Sequence, residues 1–132
     1  RRSNPYPSMT TFDAPTREVC APRRMPTNTP LQALVTLNDP AFMECAKSLA
    51  VRMRQDQSEF EPAIAIRNGM RLVTGATPAF EALSPLNELF ETASNHYQKH
   101  PELAQALGAS ADEAALVLVA NALLNLDAIL TK

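Results

Sequence analysis

Residues 24–39, RMPTNTPLQALVTLND, decide the fold of this chain. Thr29 has the chemistry of a helix N-cap, Pro30 suits the first helical position, and Gln32 has the spacing of a capping-box partner. Residues 38–40, Asn-Asp-Pro, predict the end of this short helix and the cap of the next one. The stretch therefore predicts a change from a proline-rich segment to a series of helices.

The sequence after this stretch keeps a helical pattern. A helix over residues 40–55 is predicted by apolar residues that recur at intervals of three and four, namely Phe42, Cys45, Ala46, Leu49, Ala50 and Met53. Ser58 and Glu61 have capping-box spacing and predict a helix that Gly75 ends. Gly69 lies inside that helix, where glycine costs up to about 1 kcal/mol relative to alanine. We therefore expect another helix to pack closely at Gly69.

The last third of the sequence predicts the centre of the fold. Residues 85–107 have the pattern of a helix followed by a short helical turn, and Ser110 with Glu113 forms another capping box. This box opens the most apolar helix, residues 111–130, whose middle is apolar on every side apart from Asn121. A buried amide without partners costs about 1–3 kcal/mol, so we expect Asn121 to bond to the backbone of a neighbouring helix or of the N-terminal segment.

Residues 1–27 differ from the rest in composition. They contain five of the eleven prolines, and each proline removes a backbone donor and disfavours helix in the residue before it. The apolar residues of this segment, which need a surface to cover, are Tyr6, Met9, Phe12 and Val19. The sequence thus predicts an all-α fold, with a five- to six-helix orthogonal bundle over residues 28–132 preceded by an extended proline-rich arm.

The composition excludes several classes of protein. A length of 132 residues, with 45% hydrophobic and 20% charged residues, suits one domain with a buried core. A net charge of -2 argues against general electrostatic binding of nucleic acid, because domains that bind it this way are strongly basic. The longest apolar run, residues 114–120, is far shorter than the ~20 residues of a membrane span. The chain starts without Met or a signal-peptide pattern, and we interpret it as a piece of a longer protein.

The cysteines and histidines do not form a metal-binding pattern. Cys20 and Cys45 are too few for a zinc site, and no CxxCH haem-attachment motif occurs, so we predict no cofactor and no metal in this chain. The two cysteines can form a disulfide in an oxidising compartment, or Cys45 can be a free apolar residue of its helix. His96 and His100 have the spacing of two metal ligands, but a third ligand is missing. We interpret them as surface histidines near a helix C-terminus.

Four blocks of the sequence resemble one protein family. They are FDAPTREVC at 12–20, RRMPTNTPLQALVTLNDPAF at 23–42, GATP with Glu81 at 75–81, and LLNLD at 123–127. The family is a planctomycete-type secreted domain of unknown function, which forms the C-terminal part of long proteins that carry cytochrome c-like modules. The resemblance implies export to the periplasm or the extracellular space, an upstream domain in the same polypeptide, and a cytochrome-like protein as a further candidate partner.

Two positions depart from the family pattern. Ala76 stands where relatives have the arginine of Gly-Arg-x-Pro, and Ala128 stands where an acidic residue commonly follows LLNLD. Ion pairs that depend on those two charges are therefore not expected in this chain. The resemblance supplies no catalytic residues.

One polar cluster in the arm is a candidate site for a ligand or a partner. Asp13, Arg17 and Glu18 lie close together in sequence, with Arg23 and Arg24 after them. These residues can make ion pairs and turn hydrogen bonds that fix an extended segment. Alternatively, they can bind a ligand or contact a partner domain.

The sequence favours a structural or interaction module, the C-terminal helical domain of a larger exported protein, over an enzyme that acts alone. One alternative is a part of an enzyme acting on extracellular glycans, in which the arm's polar cluster completes an active site shared with the upstream domain. A second alternative is a docking module for a cytochrome-like electron-transfer partner.

Overall fold

The computed structural model describes residues 11–12, 29–55, 57 and 59–130, and this part of the chain is mainly helical. The elements with defined bounds are α1 Pro30–Asn38, α2 Pro40–Arg54, α3 Pro62–Thr74, a 3-10 turn Phe80–Leu83, α4 Ser84–Lys99, α5 Pro101–Ala106, α6 Ala111–Leu124 and α7 Asp127–Leu130. No strand occurs within the described ranges. The predicted all-α fold is confirmed.

Helix α6 is the centre of the bundle. It contacts each of α1 to α5, and its most extensive contacts are with α2 and α4. Its buried residues are Ala114, Ala115, Leu116, Val117, Val119, Ala120, Asn121 and Leu123. Because these residues point in all directions around the helix axis, α6 is enclosed by its neighbours, as the sequence predicts.

The ends of the helices follow the local sequence signals at most positions. The capping box of α1 forms, because Gln32 donates its N–H to Thr29 Oγ1 and accepts the Thr29 N–H at its own Oε1. The capping box of α6 forms in the same way between Ser110 and Glu113. Helix α3 ends at Gly75, which has a φ of 77°, a conformation that glycine adopts without strain.

The predicted capping box at Ser58 and Glu61 is wrong. Helix α3 begins at Pro62, and Glu61 is its N-cap without a side-chain capping bond. Proline is pre-organised for the first helical position and disfavours helix in the residue before it, so Pro62 excludes Glu61 from the first turn. The Glu61 N–H donates to Gln57 Oε1 at 3.1 Å. Ser58 lies outside the described residues.

The last predicted helix is shorter than expected. Helix α6 ends at Leu124 and α7 restarts at Asp127, whereas the sequence predicts one helix over residues 111–130. Asn125 is the C-cap, and its Oδ1 accepts a hydrogen bond from the Thr36 hydroxyl at 2.5 Å. Asparagine favours caps and turns over the interior of a helix, which is consistent with a helix end at Asn125.

Cys45 does not belong to the buried face of α2. That face consists of Ala46, Leu49, Ala50 and Met53, and Cys45 lies exposed as a free cysteine. The prediction of an apolar role for Cys45 is wrong, because its position falls at the edge of the stripe. None of the described helices is long and apolar enough to span a membrane.

Candidate functional site

The candidate site residues of the arm lie outside the part of the chain that the structure describes. They are Asp13, Arg17, Glu18, Arg23 and Arg24. Neither of the two roles considered for this cluster is tested by the described contacts.

Two residues just before this cluster contact the helical bundle. Gln32 Nε2 donates to the Thr11 carbonyl oxygen at 2.9 Å, and the rings of Phe12 and Phe42 lie 6.0 Å apart between centroids. Gln32 belongs to α1 and Phe42 to α2. The chain therefore meets both helices immediately before Asp13.

Helix α1 has its polar residues inside and its leucines outside. Gln32 and Thr36 are 2% and 0% exposed, whereas Leu31, Leu34 and Leu37 are 56%, 58% and 44% exposed. On a helix of 3.6 residues per turn the three leucines share one side, opposite Gln32 and Thr36. We call Leu31, Leu34 and Leu37 the leucine face.

The buried polar residues of α1 hold this orientation through hydrogen bonds. Gln32 uses its carbonyl oxygen in the capping box and its amide nitrogen on Thr11. The Thr36 hydroxyl lies 2.5 Å from Asn125 Oδ1 and 2.9 Å from the Ala33 carbonyl oxygen. Turning the leucines inward would remove these hydrogen bonds from the side chains of Gln32 and Thr36. A buried polar group without partners costs about 1–3 kcal/mol, so the bonds favour the observed orientation.

Asn121 connects the centre of the bundle to α1. Its Nδ2 donates to the Leu37 carbonyl oxygen at 3.3 Å, which confirms the predicted bond to the backbone of a neighbouring helix. Leu118 lies about one turn earlier on α6 and is also partly exposed, at 38%. Asn121 thus ties the C-terminal end of α1 to the central helix, and Leu118 on the same helix is a further partly exposed apolar residue.

Sequence reasoning did not identify the leucine face. The apolar spacing of α1 predicts a helix, but it does not show which side of the helix meets the bundle. One signal was present: Gln32 and Thr36 lie four residues apart, on the side opposite the leucines. Their burial depends on Thr11 and Asn125, which are distant in sequence.

The histidine pair lies at the surface, as the sequence predicts. His96 and His100 are exposed near the end of α4, with ring centroids 4.8 Å apart, and His100 Nδ1 lies 3.3 Å from Glu102 Oε1. Among the described residues, no group of three or more His, Cys, Asp or Glu side chains has an arrangement that could hold a metal ion. The absence of a metal stays a prediction.

Comparison with known proteins identifies a family for most of the chain. The family PSD1, described as a protein of unknown function (DUF1553), matches residues 1–90. This range includes the arm and α1 to α3, and it stops before the LLNLD block. No curated protein and no solved structure matches the chain.

Proposed function

Because this chain belongs to the PSD1 family of proteins of unknown function, we propose its role from its surface. The chain is a helical interaction module of a larger exported protein, and its leucine face docks on another part of the same polypeptide. Export is supported only by the sequence resemblance.

The observation that carries the proposal is the orientation of α1. Three neighbouring leucines remain 44–58% exposed while a glutamine and a threonine of the same helix are buried. Exposed apolar side chains that form a patch mark interaction surfaces more often than scattered ones do. Covering the patch would gain roughly 25 cal/mol for each Å² of apolar surface removed from water.

The size of the leucine face favours an occupant within the same polypeptide. Stable complexes between separate proteins bury about 800 Å² on each partner, and three half-exposed leucines provide much less. A tethered partner needs less area, because the linker raises its effective concentration to about the millimolar range. A second copy of this chain is therefore a weaker candidate than an upstream domain.

The test compares Leu34→Glu with Val51→Glu, both in the 132-residue chain and in the longer parent protein. Leu34 and Val51 are both well exposed, at 58% and 73%, and Val51 lies on α2, outside the leucine face. We expect Leu34→Glu to raise hydrogen exchange of the α1 amides in the parent protein alone, because a charge at the junction separates the docked parts. Val51→Glu should leave this exchange unchanged in both proteins.

Two results would contradict the proposal. The first is unchanged α1 exchange after Leu34→Glu in the parent protein, which would mean that nothing covers the leucine face. The second is an equal rise in the 132-residue chain, which would mean that Leu34 stabilises the bundle itself. The glycan-enzyme and cytochrome-docking alternatives are not proposed, because no contact among the described residues favours either.

A further inference from the structure

A cleft lies between α2 and the segment that joins α5 to α6. Its volume is about 240 Å³, and its apolar lining consists of Ala50, Val51, Leu107, Ala109, Leu116 and Val117. Ala50, Leu116 and Val117 are also core residues, so the floor of the cleft is continuous with the hydrophobic core. The cleft is separate from the leucine face, since none of the leucine-face residues lines it.

The walls of the cleft leave space that the protein does not fill. Gly108 lines it with a φ of 70°, and a Cβ at this position would meet no atom within 4 Å. Val51 stands at the rim and is 73% exposed, although it is a large apolar residue. An aliphatic group of a ligand would gain contact with Val51 and with the small residues of the wall.

Among the described charged residues that line the cleft, two are positive and one is negative. Lys47 and Arg54 line it on α2, separated by two turns, and the acidic residue among the described lining residues is Glu113. Arg54 Nη1 donates to Glu113 Oε1 at 2.7 Å, so the charges of these two side chains neutralise each other. Lys47 Nζ lies 3.5 Å from Glu44 Oε1, outside the cleft lining. The Glu44 side chain is 75% exposed, and ion pairs between exposed side chains are weak.

We propose that this cleft binds a small amphiphilic carboxylate, with its aliphatic chain along Val51 and its carboxylate on the Lys47 ammonium. The cleft volume suits an aliphatic chain of about six carbons better than a drug-sized molecule, which needs about 300–1,000 Å³. The positive charge at one end of the apolar floor sets the orientation, because an ammonium group donates hydrogen bonds to carboxylate oxygens.

The experiment is an NMR titration of the 132-residue chain with sodium hexanoate as the probe and hexylammonium chloride as the charge control. We expect saturable amide shifts at residues 47–54 and 107–117, with hexanoate binding at least about tenfold more tightly than hexylammonium, because only the anion is attracted to Lys47. Non-saturable shifts, shifts elsewhere, or equal affinity for both probes would overturn the proposal.

Two variants with matched controls separate the charge from the apolar space. Lys47→Gln should reduce hexanoate affinity about threefold, whereas Lys99→Gln, at an exposed lysine on α4, should leave it unchanged. Ala109→Phe should abolish binding by filling the cleft, whereas Ala41→Phe, at an exposed position on α2 outside the cleft, should not. Equal effects within either pair would overturn the proposal. If Ala109→Phe does not fold, the comparison of Lys47→Gln with Lys99→Gln tests the proposal by itself.

Discussion

At the residue scale, Gly69 provides the space in which three helices meet. A Cβ built at Gly69 would lie 2.8 Å from both Met53 Sδ and Met53 Cε and 2.9 Å from Leu123 Cδ1. These distances are shorter than van der Waals contact. Met53 and Leu123 are fully buried, so their flexible ends have little room to move. The close packing expected from a glycine inside α3 is confirmed.

We predict that Gly69→Ala destabilises the chain by about 1 kcal/mol. Overpacking a core costs about 1–3 kcal/mol, and the better helix propensity of alanine returns about 0.8–1.0 kcal/mol. Asn68→Ala is the control, because it improves helix propensity at the neighbouring position without adding bulk. Urea unfolding measures both variants. A Gly69→Ala variant as stable as Asn68→Ala would show that the contact with Met53 and Leu123 relaxes at no cost.

At the element scale, the sequence predicted most features that depend on neighbours along the chain, although the capping box expected at Ser58 and Glu61 is wrong. Three such features are the capping box at Thr29, the capping box at Ser110 and the end of α3 before Gly75. Each depends on residues close together in sequence, and the structure confirms all three. The inverted burial of α1 was not predictable in this way. It depends on contacts of Gln32 and Thr36 with residues far away in sequence.

The cleft also escaped prediction, because its two sides come from separate parts of the chain. Arg54 is the last residue of α2, and Glu113 lies in the first turn of α6. The sequence does not indicate that these two residues form an ion pair. A residue pattern identifies the buried side of a single helix. It does not show where two helices leave a gap between them.

The cap of α6 gives a pH-dependent contribution to stability. The backbone N–H of Ser110 and then its hydroxyl lower the pKa of Glu113 from its ordinary value of 4.5, partial burial opposes them, and Arg54 lowers the pKa further. A carboxyl group with a lower pKa in the folded state stabilises the fold at pH values above its unfolded pKa. This stabilisation is lost as the pH falls through the folded pKa.

We predict that Glu113→Gln lowers the free energy of unfolding at pH 7 and that the difference from the wild type shrinks as the pH falls below 4.5. Glutamine can still accept the Ser110 N–H, so the variant mainly removes the charge. Urea unfolding at several pH values measures the difference, with Glu91→Gln on the exposed side of α4 as the control. A difference that grows at low pH would contradict the assigned direction of the pKa shift.

At the scale of the whole molecule, α6 supports both candidate surfaces. Its first half lines the cleft with Glu113, Leu116 and Val117, and its C-terminal end holds α1 through Asn121 and Asn125. Because α6 contacts each of α1 to α5, it fixes the two surfaces relative to each other. The sequence predicted this central position, because residues 114–124 are apolar on every side apart from Asn121.

The sequence did not show how the N-terminal arm meets the bundle. Proline content predicts that no regular helix covers most of residues 1–27, but it does not specify a contact surface. Among the described residues, Thr11 and Phe12 provide the contact, with Gln32 and Phe42 as their partners. These two contacts are the basis for a test of whether the arm stabilises the fold.

We predict that Phe12 and Phe42 are energetically coupled. Aromatic pairs at such distances contribute about 0.5–1.5 kcal/mol beyond the burial of their area, so a double-mutant cycle of Phe12→Ala and Phe42→Ala should give a coupling energy in that range. The control cycle pairs Phe12→Ala with Phe60→Ala. Phe60 contacts Phe90 and Arg54, and Arg54 lies roughly 18 Å from Phe42 along α2, so these two substitutions should be additive. Additivity in both cycles would mean that the contact between the Phe12 and Phe42 rings adds nothing to the stability of the bundle.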